Sequence, residues 1–174
     1  MTEDELIDGI LEREGGFVND PVDHGGVTNF GITAAAWGQY KQLNRPGTAA
    51  EMKAITREDA IEFYRQKYIV NSAFKAVAFE PLRAQLIDFA VNSGETRATR
   101  WLQRTIGLQA TGTLDPATLS ALNALPPSLV NNALVAARVA MYQSIVQSEP
   151  TQIKFLHGWI NRAVSFSSFA SANV

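Results

Sequence analysis

Glu14 is the side chain best placed to do chemistry. It lies seven residues after Ile7, four after Ile10 and three after Leu11, spacings that share one face of an α-helix. With Leu6, those residues make the face apolar, so the carboxyl group is turned toward the core, where desolvation disfavours its charged form. It also falls in the last helical turn, at the negative end of the helix dipole. Glu12 falls on the polar side and reads as a solvated residue. An acid kept protonated near neutral pH beside Gly15-Gly16 is what general-acid cleavage of a glycosidic bond requires, because the leaving oxygen is scarcely basic. The competing reading leaves Glu14 bent outward at a fraying helix end.

Glycoside hydrolysis usually needs a second group across the scissile bond: a nucleophile, a base for water, or a stabiliser of positive charge. Asp20 and Asp23 are the candidates. Asp23 lies nine residues beyond Glu14, far enough for a returning hairpin to bring it opposite, with the Thr28 hydroxyl nearby to hold a water. Asp20 precedes Pro21 and reads more readily as a turn former. The isolated His24 has no clustered partners, so neither a metal site nor any cofactor is expected. Trp37, Tyr64, Tyr68 and Trp101 fall on apolar helical faces and read as core.

These residues need elements to hold them. Thr2 with Glu5 is a capping box opening a helix that runs to about Glu14, where Gly15-Gly16 stops it. Residues 17–33 are rich in turn formers and form a small hairpin or loop lobe, with a short strand between Val27 and Ile32. Helical punctuation then resumes. Thr33 caps a short helix, Thr48 with Glu51 makes another capping box, and Thr56 caps a helix with Ala60, Ile61, Tyr64 and Tyr68 on one side. Pro81 opens a helix whose Leu82, Leu86 and Phe89 form a core stripe ending at Asn92-Ser93-Gly94. A helix with Ala98, Trp101, Leu102 and Ile106 follows, and Asp115-Pro116 starts the next. Ser128 after Pro126-Pro127 caps a long helix to about Ser148, and a last helix spans about Gln152 to Ala163. The total of about eight helices predicts an all-α, α-dominated fold.

Composition narrows the function classes. The 174 residues carry 15 Lys+Arg against 17 Asp+Glu, and a net charge of −2 lacks the basic stripe of a nucleic-acid binder. The absence of Cys removes disulfide scaffolds, thiol nucleophiles and cysteine zinc sites. The acidic start Met1-Thr2-Glu3-Asp4-Glu5 is unlike a signal peptide, and no apolar run approaches the roughly 18 residues of a membrane span. Synthesis in the cytoplasm without a signal peptide, and a monomeric state, are the expectations.

Glu14-Gly15-Gly16-Phe17-Val18-Asn19-Asp20-Pro21, followed by Gly25-Gly26-Val27-Thr28-Asn29-Phe30-Gly31-Ile32-Thr33, resembles glycoside hydrolase family 108 across roughly residues 5–92. That family comprises N-acetylmuramidases of the lysozyme superfamily. The family signature has Tyr after Glu-Gly-Gly, and here Phe17 stands in that place. The resemblance implies a lysozyme-like helical fold with Glu14 as the essential catalytic residue. By analogy with phage-type lysozymes, Asp23 and Thr28 complete a Glu, Asp and Thr set. Phe17, Thr28, Asn29 and Asn92 are expected beside the substrate. Asp88-Phe89-Ala90-Val91-Asn92-Ser93-Gly94, and Trp101-Leu102-Gln103 through Gly112-Thr113-Leu114-Asp115-Pro116-Ala117-Thr118-Leu119, look like the predicted peptidoglycan-binding domain that commonly follows.

The organisation this implies is a muramidase region over 1–92 and a peptidoglycan-binding region over 93–174, packed into one lysozyme-like unit. The partner is the peptidoglycan glycan strand, reached in the cell wall after release or export. The reaction is hydrolysis of the β-1,4 bond between N-acetylmuramic acid and N-acetylglucosamine. The alternatives are a lytic transglycosylase, or an inactive wall-binding or secretion-accessory protein.

Overall fold

The first helix, α1 (Glu3–Arg13), starts as its capping box requires. The Thr2 hydroxyl accepts the Glu5 N–H at 3.2 Å, and Glu5 Oε2 accepts the Thr2 N–H at 2.8 Å. The computed structural model describes residues 2–19 and 26–168. Asp20, Asp23 and His24 therefore lie outside the described residues. The chain divides into two compact units, Thr2–Asn71 and Ser72–Val174. The fold is predominantly α-helical, with nine α-helices and one two-stranded sheet among the described residues.

In the first unit, α1 packs on α4 (Arg57–Tyr64). Leu6, Ile7, Ile10 and Leu11 are buried on α1, and Ala60, Phe63 and Tyr64 on α4. Arg57 to Asp8 and Arg65 to Asp4, both at 2.7 Å, edge this seam. Such exposed pairs orient more than they stabilise. The helix from Thr56 does not continue uniformly. Arg65–Val70 widens into a π-helix, closed by the Asn71 N–H on the Gln66 carbonyl at 3.0 Å. The wider turn brings Tyr68 nearly over Tyr64, their rings stacked at 5.7 Å. Between these helices and the sheet run α2 (Ala34–Tyr40), capped by Thr33, and α3 (Ala49–Lys53), capped by Thr48 and Glu51.

The second capping box carries a pH signature. Hydrogen bonds from Arg45, then from the Thr48 N–H and hydroxyl, hold the Glu51 carboxyl at about 2, below its ordinary 4.5. A depressed folded value contributes stability above the unfolded pKa and loses it as pH falls through the folded one. Glu51→Gln is therefore expected to flatten the fall in melting temperature between pH 4.5 and about 2, as thermal melts across that window would record.

In the second unit, α5 (Glu80–Ser93), α6 (Glu95–Thr105), α8 (Pro127–Ser148) and α9 (Ile153–Val164) form the packed set, with α7 (Pro116–Asn123) against α8. Leu82, Leu86 and Phe89 face the core from α5, as their spacing predicts. Gly94, at φ +82°, ends α5 and opens α6. Asp115 caps α7, its carboxylate accepting the Thr118 N–H at 2.7 Å. One boundary differs from the sequence reading: α8 begins at Pro127, with Pro126 rather than Ser128 at the cap and no side-chain cap bond. Proline at the first helical position loses no bond there, because that N–H has no intrahelical partner. Buried across this unit is an ion triad in which Asp88 of α5 accepts from Arg138 of α8 at 2.8 Å and Arg162 of α9 at 2.9 Å.

Candidate active site

The short lobe after α1 contains a hairpin, one of the two forms expected for residues 17–33, with two short strands where a single one was expected between Val27 and Ile32. Strands β1 (Thr28–Asn29) and β2 (Ile32–Thr33) pair antiparallel, Thr28 opposite Thr33 and Asn29 opposite Ile32. Val18 adds a third row, exchanging both backbone bonds with Thr28 at 2.8 and 2.9 Å. A two-residue loop in such a hairpin favours a turn with positive φ at both positions. Phe30 at +49° and Gly31 at +72° supply it. Phenylalanine in that region is strained by about 1–3 kcal/mol. Two bonds hold the turn in place. The Tyr64 hydroxyl donates to the Phe30 carbonyl at 2.9 Å, and the buried Asn29 amide donates to the Met52 carbonyl at 2.9 Å.

This turn meets Glu14. The residue caps α1 in a helical conformation, its N–H on the Ile10 carbonyl at 3.1 Å, and its side chain is half-buried. A Cβ added to Gly31 would stand 2.6 Å from Glu14 Oε2 and 2.9 Å from the Tyr64 hydroxyl oxygen. The carboxyl group and the phenol thus converge on the one residue of the turn that has no side chain. Gly15, at φ +66°, then turns the chain away from the helix. The Glu14 carboxyl group is fixed between a helix end and a braced hairpin, with an exposed glycine beside it. Such an acid can present its proton to a ligand oxygen without reorganising first.

Gly31→Ala tests that fit. Alanine would have to keep the left-handed backbone that Gly31 already adopts, at a cost of about 1–2 kcal/mol, and its methyl group would displace the carboxyl group from its seat. Turnover is expected to fall about a hundredfold while the variant stays folded at room temperature, measurable by steady-state rates beside a thermal melt.

The other sequence candidates are distributed as follows. Phe17 is 38% exposed, one residue before the Val18 bridge. The Thr28 side chain is half-buried on β1, while Asn29, 4% exposed, spends its amide on the Met52 carbonyl within α3. Asn92 is exposed on α5, its amide donating to the Asp88 carbonyl at 2.7 Å. Trp37 and Tyr64 are buried as expected, whereas Trp101 is only partly so. The sequence reading treated Tyr64 as core alone and missed its polar end. The signal was present in the Phe30-Gly31 pair, whose carbonyls in a tight turn need donors.

These features define first a class: a helical protein that presents the Glu14 carboxyl group against a small hairpin. Residues 7–94, half of the chain, match the model of the family described as glycosyl hydrolase 108, and the chain belongs to that family. Residues 97–164 match a predicted peptidoglycan domain. No curated protein sequence gives a significant match. Among solved structures, that of Brucella abortus SagA is similar, with a TM-score of 0.72 and 28% identity over 95% of both chains. The family match extends to residue 94 and so includes α5, which in the structure belongs to the second compact unit. Together the two family matches support a glycoside hydrolase acting on peptidoglycan.

Proposed function

We propose that the chain is an N-acetylmuramidase that hydrolyses the β-1,4 bond between N-acetylmuramic acid and N-acetylglucosamine, with Glu14 as general acid. The observation that carries this reading is the seating of Glu14 between its helix cap and the Gly31 turn, inside the region of the family match. Glu14 gives its proton to the glycosidic oxygen as the bond to the sugar's anomeric carbon breaks, leaving an oxocarbenium-like centre. Asp23, or a water held with Thr28, serves the opposite face, and Phe17 and Asn29 border the substrate or shape its surroundings. The peptidoglycan region over 93–174 retains the wall polymer, and the protein acts there after release or export.

Digestion of purified peptidoglycan tests the proposal through its new ends. Hydrolysis creates muramic acid reducing ends. Anhydro ends would assign transglycosylase chemistry, in which the substrate's own hydroxyl replaces water, and an undigested polymer would contradict both.

A further inference from the structure

A second concave site lies in the first unit. Its lining shares no residue with Glu14, Gly31 or Tyr64. The cleft, of about 420 Å³, is walled by α2, the residues just after it, and the π-helical segment Arg65–Val70. That volume lies within the roughly 300–1,000 Å³ of small-molecule sites. Its chemistry is polar and mixed. Gln39, Gln42, Gln66 and Asn71 bring four carboxamides to it, with the rings of Tyr40 and Phe63 between them.

Three features of this lining are unusual for a bland surface. Gln42 is held at φ +56°, a conformation non-glycine residues rarely adopt, and such strain gathers at ligand sites. The π-helix that supplies Gln66 and Lys67 is a rare element, also frequent at functional positions. Lys67 places its ammonium 5.3 Å from the Phe63 ring centre and 5.2 Å from that of Tyr68, and desolvation there pushes its pKa down. Although the side chain as a whole is exposed, no carboxylate pairs with that ammonium among the described residues. Glu62, the acid of the preceding turn, is engaged by Arg65 at 3.6 Å and by Gln66 at 2.9 Å. An unpaired cation backed by aromatic rings and ringed by carboxamides calls for an anionic partner that also carries amide groups.

We propose that this cleft binds the carboxylate-bearing, N-acylated part of a peptidoglycan repeat, with Lys67 on the carboxylate and the carboxamides on its amide groups. The inference rests on peptidoglycan being the substrate. Two wall components share this chemistry: the lactyl acid of muramic acid, and the peptide attached to it.

Backbone-amide NMR titrations of the full chain separate them, using N-acetylmuramic acid, muramyl dipeptide and N-acetylglucosamine. Saturable shifts at residues 39–42 and 63–71 are expected with one or both acids and not with the neutral sugar. A response to N-acetylmuramic acid assigns the lactyl group, and a response to the dipeptide alone assigns the peptide. Lys67→Met should weaken binding about tenfold, whereas Lys67→Arg keeps it. Gln39→Ala, on an exposed position, provides an independent weakening should Lys67→Met fold poorly. Equal shifts with N-acetylglucosamine, shifts confined to residues 14–18 and 28–33, no shifts, or affinity indifferent to Lys67→Met would overturn the proposal. Peptidoglycan digestion in the same samples keeps the two readings apart. Cleavage without shifts at the cleft removes this inference alone, and shifts without cleavage remove the muramidase alone.

Discussion

Glu14→Gln is expected to keep its fold and lose turnover of peptidoglycan by about a hundred- to ten-thousand-fold, the usual contribution of a positioned general acid. The substitution preserves the size of the side chain. It leaves untouched the backbone bond that closes α1, the Glu14 N–H on the Ile10 carbonyl at 3.1 Å. What disappears is the transferable proton, so the loss should appear in kcat with KM little changed. Glu12→Gln, on an exposed position of the same helix, is the control and should turn over as wild type does. Rates of reducing-end release, with circular dichroism on each protein, read both. A Glu14→Gln variant of near wild-type activity would mean that Glu14 is not the proton donor.

Asp88→Ala is expected to destabilise the protein by about 3–5 kcal/mol, the penalty for stripping one partner from a buried ion pair. The Asp88 and Arg138 side chains are both 0% exposed. The Arg138 guanidinium lies 4.8 Å from the Phe89 ring centre and 5.7 Å from that of Phe166. Its Nη2 also reaches the Tyr142 hydroxyl at 3.3 Å. Without the carboxylate, a fully buried cation remains among aromatic rings. The loss is a large fraction of a typical folding stability of about 5–15 kcal/mol. Adding Arg138→Met to Asp88→Ala should recover part of it, because an apolar side chain of similar length suits that space. Urea denaturation of the single and double variants measures both effects. A single variant as stable as wild type would show that the triad is energetically idle.

The positions that sequence could locate are those fixed by local chemistry. Thr2 with Glu5, Thr48 with Glu51, and Asp115 before Pro116 each act within three residues, and their caps form where the pattern puts them. The apolar stripe of α1 was equally legible, since a helix face is a short-range property, and its Leu6, Ile7, Ile10 and Leu11 are buried. The misses share a different cause. Whether the chain between Val27 and Ile32 is one strand or two depends on Phe30 accepting a left-handed backbone, which the Tyr64 hydroxyl secures from 34 residues away. The switch from α to π after Tyr64 depends on ring stacking and on closure at Asn71, and hydrophobic spacing does not report either. Asp88 carried no signal of its own, since its partners lie 50 and 74 residues further along the chain.

The most direct measurement is digestion of purified peptidoglycan in water enriched in heavy oxygen, followed by mass spectrometry of the new ends. If Glu14 drives hydrolysis at muramic acid, wild type incorporates one heavy oxygen at each new muramic acid reducing end, and Glu14→Gln releases almost none. Unlabelled anhydro ends, or labelled ends formed as fast by Glu14→Gln, would contradict the account.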